Sequence, residues 1–484
     1  MIYLITGRRS SYDANELKAA GVQFAKGRDF TNWLNSYDGM VQLDTETNIV
    51  EGMYGWQGHL EGKNNRFVLD LDENGERIPC ERKCLVAQFG DYEATTQWLF
   101  DVTGLKSMQM DAMLEGFKCK NAKIIHNALF DYGVVKWNYG IDMNNLIDTF
   151  LMSKNVVSGL TVGEHLPKGY NGLAGCVKRY LNADMSKGDQ TTFTEAPMTI
   201  GQIEYAALDV AVLGPVHKEL QKEVIHWGLQ NVVKLDTVYS RACGDAMCEN
   251  LYLNVPPWRE NMEEQKELII KSKAALYAMM EQFFPDECRA LGFIQGEDEY
   301  KFKWTSSKQK KMLLRKVYPN MPEECTKVSD FKVYYKELIA DEDSTEDLRV
   351  LKWLGDRDFE SMQDYFITNH QDYLKEIGIY IPKDTFLINF NSSFQKLQLF
   401  QLIDPTLTST GSAVLEKISH PLASKLREYN KSSKLASSYG QNFIDSMSPD
   451  GMFRIKGFQI VLNTGRSSMS MMQLLPGKKE YRNP

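Results

Sequence analysis

Three short groupings of residues could do chemistry. Asp44-Thr45-Glu46 ends an apolar run, Val41-Gln42-Leu43, that reads as a buried strand. Residues two apart on a strand point to one face, so both carboxylates can reach one hard cation, and Mg²⁺ or Mn²⁺ favours such oxygen ligands. Alone, the pair also fits a solvated turn. Asn127-Ala128-Leu129-Phe130-Asp131 follows the strand-like Lys123-Ile124-Ile125-His126. Asn127 is placed to cap a helix beginning near Ala128, with Asp131 one turn in on the face Asn127 shares. An ordinary capped helix would look the same. Tyr205-Ala206-Ala207-Leu208-Asp209 lies in a run with Ile203, Ala206, Ala207, Val210 and Leu213 at helical spacing, which sets the phenol and the carboxylate on one helix face. A half-buried tyrosine beside an exposed aspartate gives that pattern too.

The elements that must position these groups read as α/β from residue 1 to about 220. Met1 to Thr6 reads as a first strand, being too short and too poor in basic residues for a signal peptide. Cys84-Leu85-Val86-Ala87-Gln88-Phe89 and Gln97-Trp98-Leu99-Phe100 read as further strands, with a turn signal at Glu73-Asn74-Gly75 before them. One helix is expected over Ile200 to Leu220. Two long helices follow, His226 to Glu249 and Arg259 to Phe284, with Pro256-Pro257 as a breaker between them. Residues 286–384 are polar and mixed, with a basic run over 301–316 and an acidic run over 341–347, and suggest no fold. From 392 to 440 the pattern is helical again, and Met452 to Leu462 is strand-like.

Composition narrows the class. The chain has 484 residues, enough for two to four domains, and no apolar stretch long enough to span a membrane. The partners expected from this balance exclude a membrane. The eight cysteines are scattered and the close pairs, Cys80/Cys84 and Cys243/Cys248, lack zinc-knuckle spacing, so free thiols in a reducing, cytoplasmic setting are expected. A net charge of −8 does not favour nucleic acid globally, but a carboxylate-rich metal site and a basic groove can share one chain.

Together the three groupings, in this order, resemble the DEDDy subfamily of 3′→5′ exonucleases, and Leu173-Ala174-Gly175-Cys176-Val177-Lys178-Arg179-Tyr180-Leu181 also matches its pattern. The resemblance implies an RNase H-like α/β domain, a mixed sheet flanked by helices. It implies that Asp44, Glu46, Asp131 and Asp209 hold two divalent cations, Mg²⁺ or Mn²⁺, and that Tyr205 orients the attacking water. It also carries Asn127 as a nucleic-acid contact. The chemistry accounts for the residue types: four converging carboxylates repel one another unless cations lie between them. A frayed single-stranded 3′ end is the easier substrate, because a paired end must first unstack.

The second half resembles family A (polymerase I-type) DNA polymerases. Pro405 to Glu416, flanked by Asn391-Ser392-Ser393 and by Leu426 to Tyr439, is similar to the thumb. Thr464-Gly465-Arg466-Ser467-Ser468 with Gln473-Leu474-Leu475-Pro476 is similar to the opening of the palm, two residues shorter than usual between the arginine and the glutamine. The resemblance gives Arg466 and Gln473 contacts to a primer–template duplex. Basic residues outnumber acidic ones from Lys425 onward, which suits a duplex. No palm carboxylates or fingers helix follow, so polymerisation is not expected from this chain alone. The expectation is a shortened chain, or half of a split polymerase of the kind best known in bacteriophages, with palm and fingers on a second polypeptide and a bacterial cytoplasm as its setting.

The expected organisation is therefore a 3′→5′ exonuclease domain over 1–222, a mainly α-helical thumb-like region over 223–440 with an insertion at about 286–384, and the start of a palm over 441–484. The expected function is proofreading removal of nucleoside 5′-monophosphates. A stand-alone RNase D-like RNA exonuclease and a non-catalytic DNA-clamping subunit are the alternatives.

Overall fold

The computed structural model describes residues 1–61, 66–158, 166–185, 192–249, 251–322, 330–331, 333–336, 348–453, 456–458 and 468–470. The chain divides into two units, Met1–Asn261 with Gly440–Pro484, and Met262–Tyr439.

The first unit is built on a seven-stranded mixed sheet, assembled from β1 (Ile2–Ile5), β2 (Val22–Phe24), β3 (Val41–Thr47), β8 (Cys84–Asp91), β9 (Gln97–Asp101), β10 (Lys123–Ile125) and β11 (Leu146–Asp148) in the order β11-β10-β3-β8-β9-β1-β2. Four shorter strands, β4 (Tyr54–Trp56), β5 (Gly58–Glu61), β6 (Arg66–Leu69) and β7 (Pro79–Glu81), pair as β4/β7 and β5/β6 outside that sheet. β3 and β8 are antiparallel, as are β8 and β9, whereas β10 runs parallel to both β3 and β11. This is the RNase H-like arrangement of a mixed sheet between helices.

Period-two alternation assigns side chains to the two faces of the sheet. On β9, Trp98 and Phe100 join the core against α2 (Gly27–Ser36) and α3 (Ser107–Lys118), while Leu99 joins the opposite core beneath α7 (Ile200–Ala211). On β3, Val41 and Leu43 belong to the first core, which leaves Gln42, Asp44 and Glu46 for the face toward α7. Other described helices of this unit include α1 (Ala14–Ala19), α4 (Ala128–Tyr139), α5 (Thr149–Val157), α6 (Leu173–Leu181), α8 (Leu213–His226) and α9 (Gln230–Cys248).

Three helix boundaries differ from the sequence expectation, each for a local reason. The helix expected over 200–220 is two, α7 and α8, broken at Val212; Pro215 has no N–H to return to the carbonyl of Ala211, so it is tolerated only in a new first turn. Gly214, in that turn, lies so near Tyr92 that a Cβ would sit 2.2 Å from its carbonyl oxygen, and its N–H donates to Gln42 Oε1 at 2.7 Å. The next helix begins at Gln230 rather than His226, because Gly228 takes a positive φ of 66° after α8 ends. Pro256-Pro257 does not break the following helix, Val255–Phe283, since both prolines fall in its first turn.

α9 packs closely on α4: a Cβ at Gly244 would meet the Tyr132 ring at 2.4 Å, and Tyr132 donates to Asp245 at 2.8 Å. The returning segment pairs Met452–Phe453 with Leu251–Tyr252, and Phe443 stacks on Trp258 at 4.8 Å.

The second unit is largely helical, and the stretch 286–384 acquires a fold that the sequence did not suggest. Its described helices include Ser307–Val317, Arg349–Asp356, Phe359–Asn369 and Gln371–Glu376, with a two-stranded pairing of Glu299–Tyr300 and Tyr380–Ile381. They close on their own core of Leu313, Leu314, Tyr318, Val350, Phe366 and Leu374. A second core holds Leu276, Met280, Phe390, Leu399, Leu422 and Leu426, where Ser393–Gln401 and Pro421–Ser438 meet. The seven cysteines among the described residues are free. Among those residues no helix is long and apolar enough to cross a membrane.

Candidate active site

β3 is hydrogen-bonded on both sides, by β10 and by β8, so Asp44 and Glu46 stand on a fixed backbone. A register shift between Glu46 and Thr47 ends the regular pairing just beyond them. α7 brings the third carboxylate. A capping box starts it, with Thr199 Oγ1 accepting from Gln202 N at 3.2 Å and Gln202 Oε1 from Thr199 N at 2.9 Å. The small Ala206 and Ala207 let α7 lie close to the sheet, and Gly90 beneath it leaves room for Val210, whose Cγ1 would be 2.8 Å from a Cβ there. Carboxylate oxygens of Asp44, Glu46 and Asp209 lie within 4.8 Å of one another.

Asp131 is outside that group of three but adjacent. It is 1 % exposed and accepts a hydrogen bond from Thr45 Oγ1 at 2.7 Å. Burial drives every one of these shifts first. Asp44 is raised well above the usual carboxylate range by burial and then by Asp131, Glu46 and Asp209. Glu46 is raised likewise by burial, Asp209 and Asp131. Burial pushes Asp131 up to about 7, against the Thr45 hydroxyl, which favours its ionised form. Burial and the charges of Asp209, Glu46 and Asp44 raise the Tyr205 phenol, which therefore stays protonated at neutral pH. Tyr205 and Asp209 share one helix face, as their spacing requires.

These groups line a cleft of about 640 Å³ together with His126, Asn127, Phe130, Arg82 and Tyr205. His126 is neutral: burial pulls it down to about 3, and its Nδ1 bonds Thr149 Oγ1 at 2.9 Å. The buried carboxamide of Gln88, opposite Asp44 on β8, makes no full hydrogen bond within the described residues and reaches toward Glu46, whose ionised form it favours. An all-oxygen donor set, charge crowded beyond what burial tolerates and an unsatisfied polar group beside it together fit hard divalent cations.

Asn127 does not cap α4 with its side chain. It adopts a left-handed conformation, φ 71° and ψ 56°, and makes no side-chain cap. Asp148 does the capping: its carboxylate accepts from Asn127 N at 3.0 Å and Ala128 N at 2.9 Å, and also from Phe150 N and Leu151 N at the start of α5. The Asn127 side chain is thereby left to line the cleft. Asp148 was missed in the sequence, although an aspartate directly before an apolar helical run is the ordinary N-cap signature. Arg82 was missed as well. It donates to the carbonyls of Gly52 at 2.9 Å and Val50 at 2.5 Å and to Thr47 Oγ1 at 2.9 Å, fixing the chain that leaves β3. Nothing in its surrounding sequence signals that role. Arg466 and Gln473 lie outside the described residues.

Residues 63–225 match a family model described as a 3′-5′ exonuclease. The match contains Asp131, Tyr205 and Asp209 and begins beyond Asp44 and Glu46. Ribonuclease D of Haemophilus influenzae is 27% identical over 155 residues, which span 31% of this chain and 37% of that protein. Among solved structures, the POL domain of Pol1 from M. smegmatis in complex with DNA primer-template and dNTP is similar over 83% of this chain and 51% of its own, at 11% identity and a TM-score of 0.45. NrnC of Brucella melitensis with bound Mg²⁺ is similar over 44% of this chain and 85% of its own, at 20% identity and a TM-score of 0.29.

Proposed function

We propose that this chain, which carries a 3′-5′ exonuclease domain across residues 63–225, removes nucleoside 5′-monophosphates from DNA 3′ ends as the proofreading part of a family A polymerase. The observation that carries the reading is the convergence of Asp44, Glu46 and Asp209 from β3 and α7, with Asp131 beside them. These four residues would hold two divalent cations, Mg²⁺ or Mn²⁺. When bound, such ions activate water at neutral pH and stabilise the leaving 3′ oxygen.

The chain's own side chains supply the rest. Tyr205, kept as a neutral phenol, can donate to or accept from a water and so aim it in line with the scissile bond. Thr45 holds Asp131 in one rotamer. Asn127, whose side chain makes no cap and lines the cleft, would contact the nucleic acid. The second unit would serve as a thumb on duplex DNA, and Arg466 and Gln473 would read the primer–template near the terminus.

A second reading, an RNA exonuclease, is favoured by one observation, the 27% identity to ribonuclease D over 155 residues. Rates on single-stranded DNA and RNA of the same sequence, with Mg²⁺ or Mn²⁺, separate the two. Faster release from DNA supports proofreading; faster release from RNA overturns it.

A further inference from the structure

We infer that a cavity at the end of the sheet opposite the carboxylates is a second ligand site, and that it takes a nucleoside phosphate. The cavity measures about 820 Å³, within the roughly 300–1,000 Å³ of small-molecule sites. β3, β10 and β11 run parallel. Met40, Ala122 and Asn145, the residues just before these strands, line the cavity. The carboxylate cleft is instead lined by His126, Asn127 and Phe150, which follow β10 and β11, and no described residue lines both. Two helices wall the cavity. His217, Gln221 and Val224 recur at i, i+4 and i+7 on α8, and Lys234, Thr237 and Arg241 at i, i+3 and i+7 on α9, so each set shares one helix face.

The charge of the lining is positive. The chain has 64 acidic and 56 basic residues, yet no Asp or Glu is among the described residues that line this cavity, whereas Lys234 and Arg241 are. Neither makes an ion pair among the described residues, and the buried Nε of Arg241 has no hydrogen-bond partner there. Asp142 feels the charge of Arg241 but, like Asp245, is held by Tyr132 and Lys136. His217 adds no charge, because burial lowers its pKa and its Nδ1 bonds the Tyr92 hydroxyl at 3.1 Å. A guanidinium and an ammonium without a carboxylate beside them suit a phosphate.

The rest of the lining suits a base. Leu146, Ile147 and Met152 give an apolar surface. The carboxamides of Gln221 and Gln230 also face the cavity and make no hydrogen bond among the described residues. Each can donate and accept, as the heteroatom edge of a base requires. A bare inorganic anion would leave the apolar surface uncovered, and a hydrocarbon would leave both cations without a partner. A heterocycle carrying a phosphate uses all three parts. Nucleoside 5′-monophosphates, the product of the proposed exonuclease, are one source of such a ligand, and nucleoside triphosphates are the other.

The test is calorimetric titration of the full chain with dTMP, dTTP, thymidine and inorganic phosphate in EDTA. Without cations the carboxylate cleft repels phosphates, and the readout needs no nuclease activity. We expect both nucleotides to bind at least ten-fold more tightly than thymidine or phosphate alone. Equal or tighter binding of dTMP marks the product as the ligand, and tighter binding of dTTP marks the triphosphate. Lys234→Gln and Arg241→Gln should each weaken nucleotide binding about ten-fold and leave thymidine unchanged. Lys234 is exposed, so its substitution guards against misfolding. Asp44→Ala with Glu46→Ala should bind as the wild type does. No binding of either nucleotide up to about 1 mM overturns the site. Wild-type affinity in both cavity variants, equal affinity for phosphate alone, or loss of binding in the carboxylate variant overturns it as well.

Discussion

The hydroxyl of Thr45 donates to Oδ1 of Asp131 at 2.7 Å, so the residue between two clustered carboxylates on β3 holds the fourth carboxylate on α4. Thr45→Val keeps the shape and removes the bond, leaving the buried carboxylate one partner short. A bond to a charged group contributes about 1.5–3 kcal/mol. We expect the folded state to lose stability within that range by urea titration, and nucleotide release to slow by about ten-fold or more as Asp131 leaves its rotamer. Thr45→Ser should recover most of both.

Tyr205→Phe tests the water-orienting role. Its hydroxyl is the only group lost, and it aims the water rather than carrying its proton, so the rate should fall by about one to two orders of magnitude, less than the roughly 10²–10⁴-fold of a proton-transferring group. Affinity for Mn²⁺, measured by calorimetry, should hold. An equal loss of metal affinity would contradict that role.

Chelated protein should show a specific pH dependence. Asp44, Glu46 and Asp131 are all raised above the usual carboxylate range in the fold. Groups raised in this way lend stability that is full below the unfolded carboxylate pKa and is lost as pH climbs through the folded value, which is about 7 for Asp131. In EDTA these groups should therefore lower the Tm as pH rises from about 4, the unfolded carboxylate value, to about 7. Asp44→Asn should flatten that fall, and Mg²⁺ or Mn²⁺ should raise the Tm more at the higher pH, because the ions bind the ionised site.

Asp148→Ala removes one carboxylate that accepts from four backbone N–H groups at the starts of α4 and α5. Loss of a single N-cap costs about 0.5–2 kcal/mol, and here two helices share the cap. We expect destabilisation of roughly 2–4 kcal/mol by urea unfolding. Activity should fall as well, since Asn127 and Asp131 ride on the first turn of α4.

The parts of this arrangement legible in the sequence are those governed by short-range periodicity. The two-residue spacing of Asp44 and Glu46 and the four-residue spacing of Tyr205 and Asp209 fix a shared face whatever surrounds them. What could not be read depends on distant partners. Asn127 looked like a cap because nothing near it shows that Asp148, 21 residues on, takes its helix N–H groups first. The strands β4 to β7 are too short for alternation to show, and the turn signal at Glu73-Asn74-Gly75 precedes only the last of them. The fold of 286–384 was hidden because its core is gathered from separated residues such as Leu313, Tyr318, Val350 and Phe366, diluted by charged runs.

The proposed 3′-end nuclease depends on cations held by Asp44, Glu46, Asp131 and Asp209. A 5′-labelled single-stranded DNA, incubated with the full chain and Mg²⁺ or Mn²⁺, tests it most directly. Stepwise shortening from the 3′ end with release of 5′-monophosphates is expected, abolished by EDTA and by Asp44→Ala with Glu46→Ala in a protein that still melts cooperatively. Digestion that persists in EDTA, or that proceeds at the wild-type rate in the double variant, would contradict it.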